Sequence, residues 1–266
     1  MKRTLLLTFA ALCGFCACTS QHGVGIVAHR GYWKCEEGGM SHNSIAALKA
    51  ACEHGFWGTE FDVNMTSDGE LLVYHDGEIE GKRINFTPKA EFEHVRLPNG
   101  EPIPTLDEYL AVAENYPKTK LVLELKWHDA ALEHQAVDAV VASLKAHGLF
   151  TPERVMFISF SLSECGLFAQ AAPGFTIQYL GSDRDFDALN ENGVNGIDMY
   201  FPTFLGDPKW KEGARANGYG INVWTVDGED DIRRCIGEGI DFITTNEPVL
   251  AREILRDMDG VEELLL

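Results

Sequence analysis

Short apolar segments alternate with amphipathic segments along almost the whole chain. The apolar segments have the length of buried strands, and most are followed by a stretch in which apolar residues recur with helical spacing. Eight such apolar segments are present, which favours a single α/β domain and predicts a closed (β/α)8 TIM barrel. The predicted strands are residues 25–31, 58–63, 120–126, 155–160, 176–180, 196–201, 220–226 and 241–246. The predicted helices include residues 44–54, 131–147, 163–171, 183–192, 208–217, 229–238 and 247–258.

A ninth apolar run, residues 70–75, follows the second strand after only Ser67, Asp68 and Gly69. A parallel crossover needs a dozen or more residues, so this run must return antiparallel in a hairpin closed at the Asp-Gly turn. Proline and glycine punctuate residues 77–104. The sequence therefore predicts a small insertion after strand 2, made of a hairpin, a loop and a short helix above the barrel mouth.

The N-terminus has the features of a targeting segment. Lys2 and Arg3 precede an apolar stretch that is too short to span a membrane but has the length of a secretory signal core. Phe15-Cys16-Ala17-Cys18 resembles the lipobox of bacterial lipoproteins. We expect an exported, membrane-anchored lipoprotein facing the periplasm or the cell exterior, with its lipid on Cys18; secretion with cleavage near Ala17 is the alternative.

These features divide the chain into four predicted parts. They are a signal peptide at residues 1–17, a short tether at 18–24, one barrel domain at 25–258 and a C-terminal tail at 259–266.

The charge of the chain limits its partners. Its 22 basic and 41 acidic residues give a formal net charge of -19, which would repel a phosphate backbone and argues against nucleic-acid binding. An anionic small-molecule substrate would have to be attracted by a local cation or a metal ion. Three of the seven cysteines lie within the first 18 residues, so the remaining four form no disulfide framework.

Charged residues interrupt two of the predicted strands. Glu60 and Asp62 alternate with apolar residues in the second strand, and Glu124 and Lys126 do so in the third. Because side chains alternate between the faces of a strand, each pair should point into the barrel near its carboxyl end, where barrel enzymes carry their chemistry.

Three carboxylates converging in a site of low dielectric need a compensating charge. Glu60, Asp62 and Glu124 offer only oxygen atoms, which suit Ca²⁺ or Mg²⁺ better than Zn²⁺. A structural ion-pair network among Glu60, Glu124 and Lys126 is the alternative.

Two histidines end predicted strands at the same side of the barrel. His29 ends the first strand, beside Arg30, and His75 ends the hairpin strand, beside Asp76. Imidazole titrates near neutral pH and can accept or donate the proton that hydrolysis moves. We therefore interpret His29 and His75 as an acid/base pair whose individual roles the sequence leaves open.

Taken together, these short motifs resemble the glycerophosphodiester phosphodiesterase family over about residues 25 to 250. The likeness is carried by His29-Arg30-Gly31, Glu60-x-Asp62-Val63, Thr66-x-Asp68-Gly69, His75-Asp76, Pro104-Thr105-Leu106, Glu124-x-Lys126 and Trp224-Thr225-Val226.

The resemblance implies a (β/α)8 hydrolase that uses a divalent cation to cleave glycerophosphodiesters to glycerol 3-phosphate and an alcohol. By position, Glu60, Asp62 and Glu124 correspond to its metal ligands and His29 and His75 to its acid/base pair. Arg30 and Lys126 correspond to its phosphate-binding residues.

Two motifs depart from the family pattern. The usual Pro-Glu-Asn-Thr reads Ser41-His42-Asn43-Ser44, where Asn43 either faces the site or caps the next helix. The usual Thr-Asp-x-Pro reads Thr245-Asn246-Glu247-Pro248, which predicts Asn246 as a helix N-cap. Trp224 either forms an apolar wall for the substrate or is a core aromatic residue.

Two other functions fit parts of this pattern. A phospholipase-type phosphodiesterase, similar to a sphingomyelinase D or a phosphatidylinositol phospholipase C, would act on intact lipids, but the acidic body disfavours anionic membranes. A non-catalytic lipoprotein that only binds phosphodiesters would not need both His29 and His75.

Overall fold

Eight parallel strands form a closed barrel in the computed structural model, which describes residues 23–260. The first strand pairs with the second, Val27 opposite Gly58, and with the last, Gly25 opposite Phe242, and these two pairings close the sheet. The strands are β1 Gly25–Ala28, β2 Gly58–Met65, β3 Lys120–Leu125, β4 Val155–Ser159, β5 Thr176–Tyr179, β6 Gly196–Tyr200, β7 Gly220–Trp224 and β8 Phe242–Thr245. The predicted (β/α)8 barrel is therefore confirmed.

Helices cover the outside of the barrel and bury its apolar surface. They are α1 Ile45–Glu53, α2 Leu106–Ala113, α3 Glu133–Ala146, α4 Leu162–Ala171, α5 Phe186–Glu191, α6 Phe201–Gly206, α7 Lys209–Ala216, α8 Glu229–Gly237 and α9 Pro248–Met258. The helix α6 was not predicted, because Phe201 continues the apolar run of β6 in sequence; in the structure Pro202 stands in the first turn of that helix.

The hairpin after β2 is present as predicted. Strand Leu71–Val73 pairs antiparallel with β2, Val73 opposite Val63. The rest of the insertion contains a small antiparallel pair, Glu78–Ile79 with Lys82–Arg83, and two 3-10 turns at Ile84–Phe86 and Lys89–Phe92. A separate apolar cluster that includes Leu72, Ile84 and Phe92 holds this insertion together.

Most predicted strands continue one or more residues beyond the observed ends. Sequence reasoning placed His29 and Lys126 at strand ends, whereas β1 ends at Ala28 and β3 at Leu125. These residues begin the loops on the carboxyl side of the barrel.

A buried polar network joins the ends of β2 and β4 to α4. The N–H of Met65 donates to Nε2 of His128 at 3.1 Å, so the other ring nitrogen, Nδ1, carries a proton and lies 3.1 Å from Oε1 of Glu164. The hydroxyl oxygen of Ser159 lies 2.6 Å from Oε2 of the same carboxyl group. His128, Ser159 and Glu164 are all fully buried, so the network is shielded from water.

The predicted signal peptide at residues 1–17 and the predicted anchor Cys18 lie outside the described residues, as does most of the predicted tail at 259–266. Between residues 23 and 260, none of the helices is both long and apolar enough to span a bilayer.

Candidate active site

Three carboxylates meet at the carboxyl end of the barrel. Glu60 and Asp62 project from β2, and Glu124 projects from β3, directly opposite Asp62 in the strand register. One oxygen atom of each lies within 4.8 Å of the others, and all three side chains are buried. The structure therefore brings together the three acids that the alternation of residues placed on one face.

The carboxylates have unequal proton affinities. Burial and repulsion from Asp62 raise the pKa of Glu60 well above its usual value, and the same two causes raise that of Glu124 to about 7. Burial alone would also raise the pKa of Asp62, but Lys126, His75 and Arg30 outweigh it and hold that pKa low. The neighbouring basic groups therefore do not fully offset the negative charge of the three carboxylates. A divalent cation bound by their oxygen atoms would offset it.

Two basic side chains border the carboxylates. Nζ of Lys126 lies 2.6 Å from Oε1 of Glu124 and 3.2 Å from Oδ1 of Asp62. Nε of Arg30 lies 3.7 Å from Oδ2 of Asp62. The structure thus contains part of the ion-pair network weighed as the alternative to a metal site. The side chain of Glu60 instead accepts a hydrogen bond from the backbone N–H of Arg30 at 2.8 Å.

The Arg30 backbone is held in an unusual conformation. Its φ of 56° and that of 79° at Gly31 lie in the left-handed region, which few side chains adopt. A Cβ on Gly31 would lie 2.7 Å from the Cβ of Ala47, so α1 packs directly against this turn. The conformation directs the N–H of Arg30 at Glu60 and leaves its guanidinium group at the cavity.

Asn43 faces the acidic cluster and does not cap α1. Its Nδ2 donates to Oδ2 of Asp62 at 2.8 Å, and its Oδ1 accepts from the N–H of Asp62 at 3.2 Å. The N-cap of α1 is Ser44, whose hydroxyl accepts from the N–H of Ala47. Of the two interpretations left open by the sequence, the structure selects the first.

His29 is held by an amide at the end of β8. Its Nδ1 lies 2.9 Å from Oδ1 of Asn246. The amide orientation is fixed, because Nδ2 of Asn246 donates to Asp227 and Oδ1 also accepts from the indole N–H of Trp33. Burial, followed by the nearby charge of Arg30, lowers the pKa of His29 to about 4. The ring is therefore neutral near pH 7, with its proton on Nδ1 and a lone pair on Nε2.

The prediction that Asn246 is an N-cap is wrong. Glu247 occupies the cap position of α9 and makes no side-chain capping bond there. The amide of Asn246 is committed to His29, Trp33 and Asp227. These partners lie on other elements of the barrel, so the local helix-start pattern carried no sign of them.

His75 has a different setting. It follows the hairpin strand, is partly exposed, and its Nδ1 lies 2.7 Å from Oδ1 of Asp76. A carboxylate only accepts hydrogen bonds, so Nδ1 carries the proton that is donated to Asp76.

Most of the charged side chains described above border one cavity of about 200 Å³. His29, Arg30, His75 and Lys126 line it together with Glu60 and Glu124. Ile158, Phe160, Leu180 and Trp224 form its apolar side. Trp224 is half-buried and packs against Phe160 with ring centroids 5.8 Å apart, so it forms a wall of the cavity as well as packing against the inner core.

Asp198 lines the same cavity and was missed in the sequence. It lies on β6, is 1% exposed, and its Oδ1 is buried without a hydrogen-bond partner among the described residues. Burial, followed by repulsion from Glu124, raises its pKa well above the usual value. The available signal was one acidic residue inside an otherwise apolar parallel strand.

Comparison with known proteins gives a consistent result. The model of the glycerophosphoryl diester phosphodiesterase family matches residues 29–250. A glycerophosphodiester phosphodiesterase of Caldanaerobacter subterraneus subsp. tengcongensis is 30% identical over 248 residues, covering 87% of this chain and 97% of that protein.

Solved structures show the same architecture. A glycerophosphodiester phosphodiesterase from Parabacteroides distasonis is similar with a TM-score of 0.84 and 36% identity, over 89% of this chain and 98% of that one. An Oleispira antarctica phosphodiesterase, solved with the product sn-glycerol-3-phosphate, is similar with a TM-score of 0.75 and 24% identity. The match covers 87% of this chain and 96% of that one. At this level of identity, the similarity to the Oleispira antarctica protein shows a shared fold.

Proposed function

The chain belongs to the glycerophosphoryl diester phosphodiesterase family and is a phosphodiesterase, and from that premise we propose a metal-dependent acid/base mechanism. The substrate is a glycerophosphodiester, which water or the substrate's own 2-hydroxyl attacks at phosphorus. The final products are glycerol 3-phosphate and an alcohol; if the 2-hydroxyl attacks, the alcohol leaves first and water then opens the cyclic phosphate. The observation that carries this proposal is the convergence of Glu60, Asp62 and Glu124 beside both His29 and His75.

Glu60, Asp62 and Glu124 would hold one Ca²⁺ or Mg²⁺ ion. Their donor atoms are all oxygen, they are buried, and two of the three have a raised pKa that a nearby cation would lower again. When bound by these three residues, such an ion would offset the negative charge that develops on the phosphate oxygens.

Arg30 and Lys126 bind the phosphate group in this proposal. Both line the cavity next to the carboxylates, and both carry positive charge. With a divalent ion, the formal charge of these groups becomes slightly positive, which suits a monoanionic phosphodiester. Their attraction grows as the phosphorus gains charge, so they stabilise the transition state more than the substrate. Asn43 orients Asp62, and Trp224 provides an apolar wall for the glycerol carbons.

His29 is the general base in this mechanism. Its Nδ1 proton is engaged by Asn246, its pKa is lowered to about 4, and its Nε2 lone pair remains free to accept the proton of the nucleophile.

His75 is the general acid. Asp76 accepts the hydrogen bond from Nδ1–H and holds the ring in place, so that Nε2 can deliver a proton to the departing alkoxide. The two histidines thus take opposite roles because one has an amide partner and the other a carboxylate partner.

The test couples hydrolysis of glycerophosphodiesters to detection of glycerol 3-phosphate, before and after EDTA treatment. Loss of turnover with EDTA and its return with Ca²⁺ or Mg²⁺ are expected. Full turnover by a protein stripped of metal would overturn the metal-dependent mechanism. Faster cleavage of an intact phospholipid than of its deacylated form would instead favour the phospholipase-type activity.

We also propose that the protein is exported and anchored through a lipid on Cys18. The support is the sequence Phe15-Cys16-Ala17-Cys18 after a basic and apolar N-terminal segment. Metabolic labelling with a fatty acid should label the wild-type chain and not the Cys18→Ser variant. Equal release of both proteins into the soluble fraction would contradict the anchor.

A further inference from the structure

A second cavity adjoins the active-site cavity. It measures about 310 Å³ and shares Arg30 and His75 with the first cavity. The rest of its wall includes Trp33, Met40, His42, Tyr74, Arg96 and Leu97, and we call the space between these six residues the alcohol groove. His75 and Arg30 therefore stand at the boundary between two spaces.

A phosphodiester has two arms, and the site offers a space for each. In an in-line displacement the attacking and departing oxygens lie on opposite sides of phosphorus. His29, the base of the proposed mechanism, lines only the first cavity, whereas His75, the acid, lines both. The arm that leaves must therefore depart across His75 into the alcohol groove, and the glycerol phosphate arm remains beside the carboxylates.

The walls of the alcohol groove suit hydroxyl groups on a compact carbon frame. The rings of Trp33 and His42 meet edge to face at 4.0 Å, and both face the groove together with Tyr74. Burial, followed by repulsion from Arg30, lowers the pKa of His42, so its ring is neutral near pH 7 and offers one donor and one acceptor. Aromatic faces combined with such groups fit a polyol.

The charge of the groove comes mainly from Arg96. Nη1 of Arg96 donates to the carbonyls of Glu93 and Val95 at 2.6 and 2.8 Å, and among residues 23–260 no acidic side chain pairs with it. Asp76 also lines the groove, but its carboxylate is hydrogen-bonded to the ring of His75. Arg30 is balanced by Asp62. A cationic alcohol would therefore meet unbalanced positive charge.

We propose that the alcohol groove binds the departing alcohol of the substrate, and that it selects uncharged or anionic polyhydroxy alcohols, such as glycerol or inositol, over cationic ones such as choline. This inference rests on the proposed function, since it assigns the second arm of the same substrate.

The experiment compares kcat/KM for glycerophosphoglycerol, glycerophosphoinositol and glycerophosphocholine. We expect the wild-type protein to prefer the first two. The Arg96→Glu variant should shift the ratio of choline to glycerol substrates at least about fivefold towards choline, with Arg96→Gln in between. Lys118→Glu is the control, because it makes the same charge change at an exposed lysine preceding β3, at the opposite end of the barrel.

The outcomes separate the two proposals. An unchanged substrate ratio in Arg96→Glu, with overall activity retained and the variant folded by circular dichroism, would overturn the alcohol groove and leave the proposed function intact. An equal shift in Lys118→Glu would also overturn it, because the effect would then come from net charge. Absence of metal-dependent hydrolysis of all three diesters in the wild type would refute the proposed function itself.

Discussion

The Nδ1 atom of His29 lies 2.9 Å from the Oδ1 atom of Asn246, a residue 217 positions further along the chain. The parallel pairing of β1 with β8 brings the two together, since each follows the end of its strand. Asn246 fixes the ring orientation, and because it offers an acceptor without a full charge, its tendency to raise the pKa of His29 is outweighed by burial and by Arg30. The position is therefore suited to hold a neutral base.

Replacing Asn246 by alanine should lower kcat about tenfold, because a ring without its partner samples the wrong tautomer and orientation. Nitrogen NMR of His29 should show a larger fraction with the proton on Nε2. Asn115→Ala, which removes hydrogen bonds to two backbone carbonyls at the surface, is the control. An unchanged tautomer in Asn246→Ala would refute the positioning role.

The two histidines should respond differently to the leaving group. His29→Ala and His75→Ala should each lower turnover of a glycerophosphodiester about a hundredfold or more. With a nitrophenyl ester of glycerol phosphate, whose leaving group needs no proton, His75→Ala should regain most of its activity and His29→Ala should not. The reverse pattern would exchange the two roles.

Loss of a carboxylate should weaken cation binding. Calorimetric titration with Ca²⁺ and Mg²⁺ should show one site in the wild type and at least a tenfold weaker one in Glu60→Gln, because an amide oxygen carries no charge. Glu133→Gln alters a buried acid outside the active-site cavity and should bind the ion normally. If Glu60→Gln retained wild-type affinity, the ion would have to bind elsewhere.

Asp198 should make the metal-free protein less stable at higher pH. Its pKa is raised on folding, so the folded state holds a proton that the unfolded chain releases above about pH 4, and the free energy of unfolding falls as pH rises. In Asp198→Asn the side chain is neutral at every pH, so this contribution to the pH dependence of the free energy of unfolding is lost.

Urea unfolding in EDTA should therefore show that Asp198→Asn stabilises the protein more at pH 8 than at pH 4, relative to the wild type. Asp138→Asn, at an exposed site on α3, should show no such gain. Parallel pH dependences for wild type and Asp198→Asn would contradict the assignment.

The buried network around His128 should contribute strongly to stability. His128→Leu leaves the carboxyl group of Glu164 buried without its ring partner, which should cost about 3 kcal/mol in urea unfolding. His94→Leu removes a similar contact to Glu80 at the surface and should cost well under 1 kcal/mol. Equal losses would mean that the buried contact adds nothing beyond a surface pair.

Local patterns were sufficient to predict the barrel and the acidic cluster. Glu60 and Asp62 share a face because strands alternate, and the barrel register then brings Glu124 opposite Asp62. The antiparallel hairpin followed from the three residues that separate its strands. Each of these inferences depends on neighbours in sequence or on the geometry common to all parallel barrels.

The remaining features depend on contacts between distant segments. The role of Asn246 depends on His29 and Trp33, and no nearby residue distinguishes it from a helix cap. Asp198 is one acidic residue in an apolar strand. Its electrostatic interaction with Glu124 arises only when the barrel brings β6 and β3 to the same cavity. The alcohol groove joins the loop after β1 to the insertion, two segments whose relative placement no local pattern determines.

The insertion after β2 has a consequence for how new specificity can arise in this fold. It has its own apolar cluster around Leu72, Ile84 and Phe92, and it carries both His75 and Arg96. The barrel strands and their adjoining loops carry the carboxylates, His29 and Lys126. Exchange of the insertion between related chains would therefore replace one wall of the alcohol groove together with the segment that carries His75, while the loop after β1 and the three carboxylates stay in place.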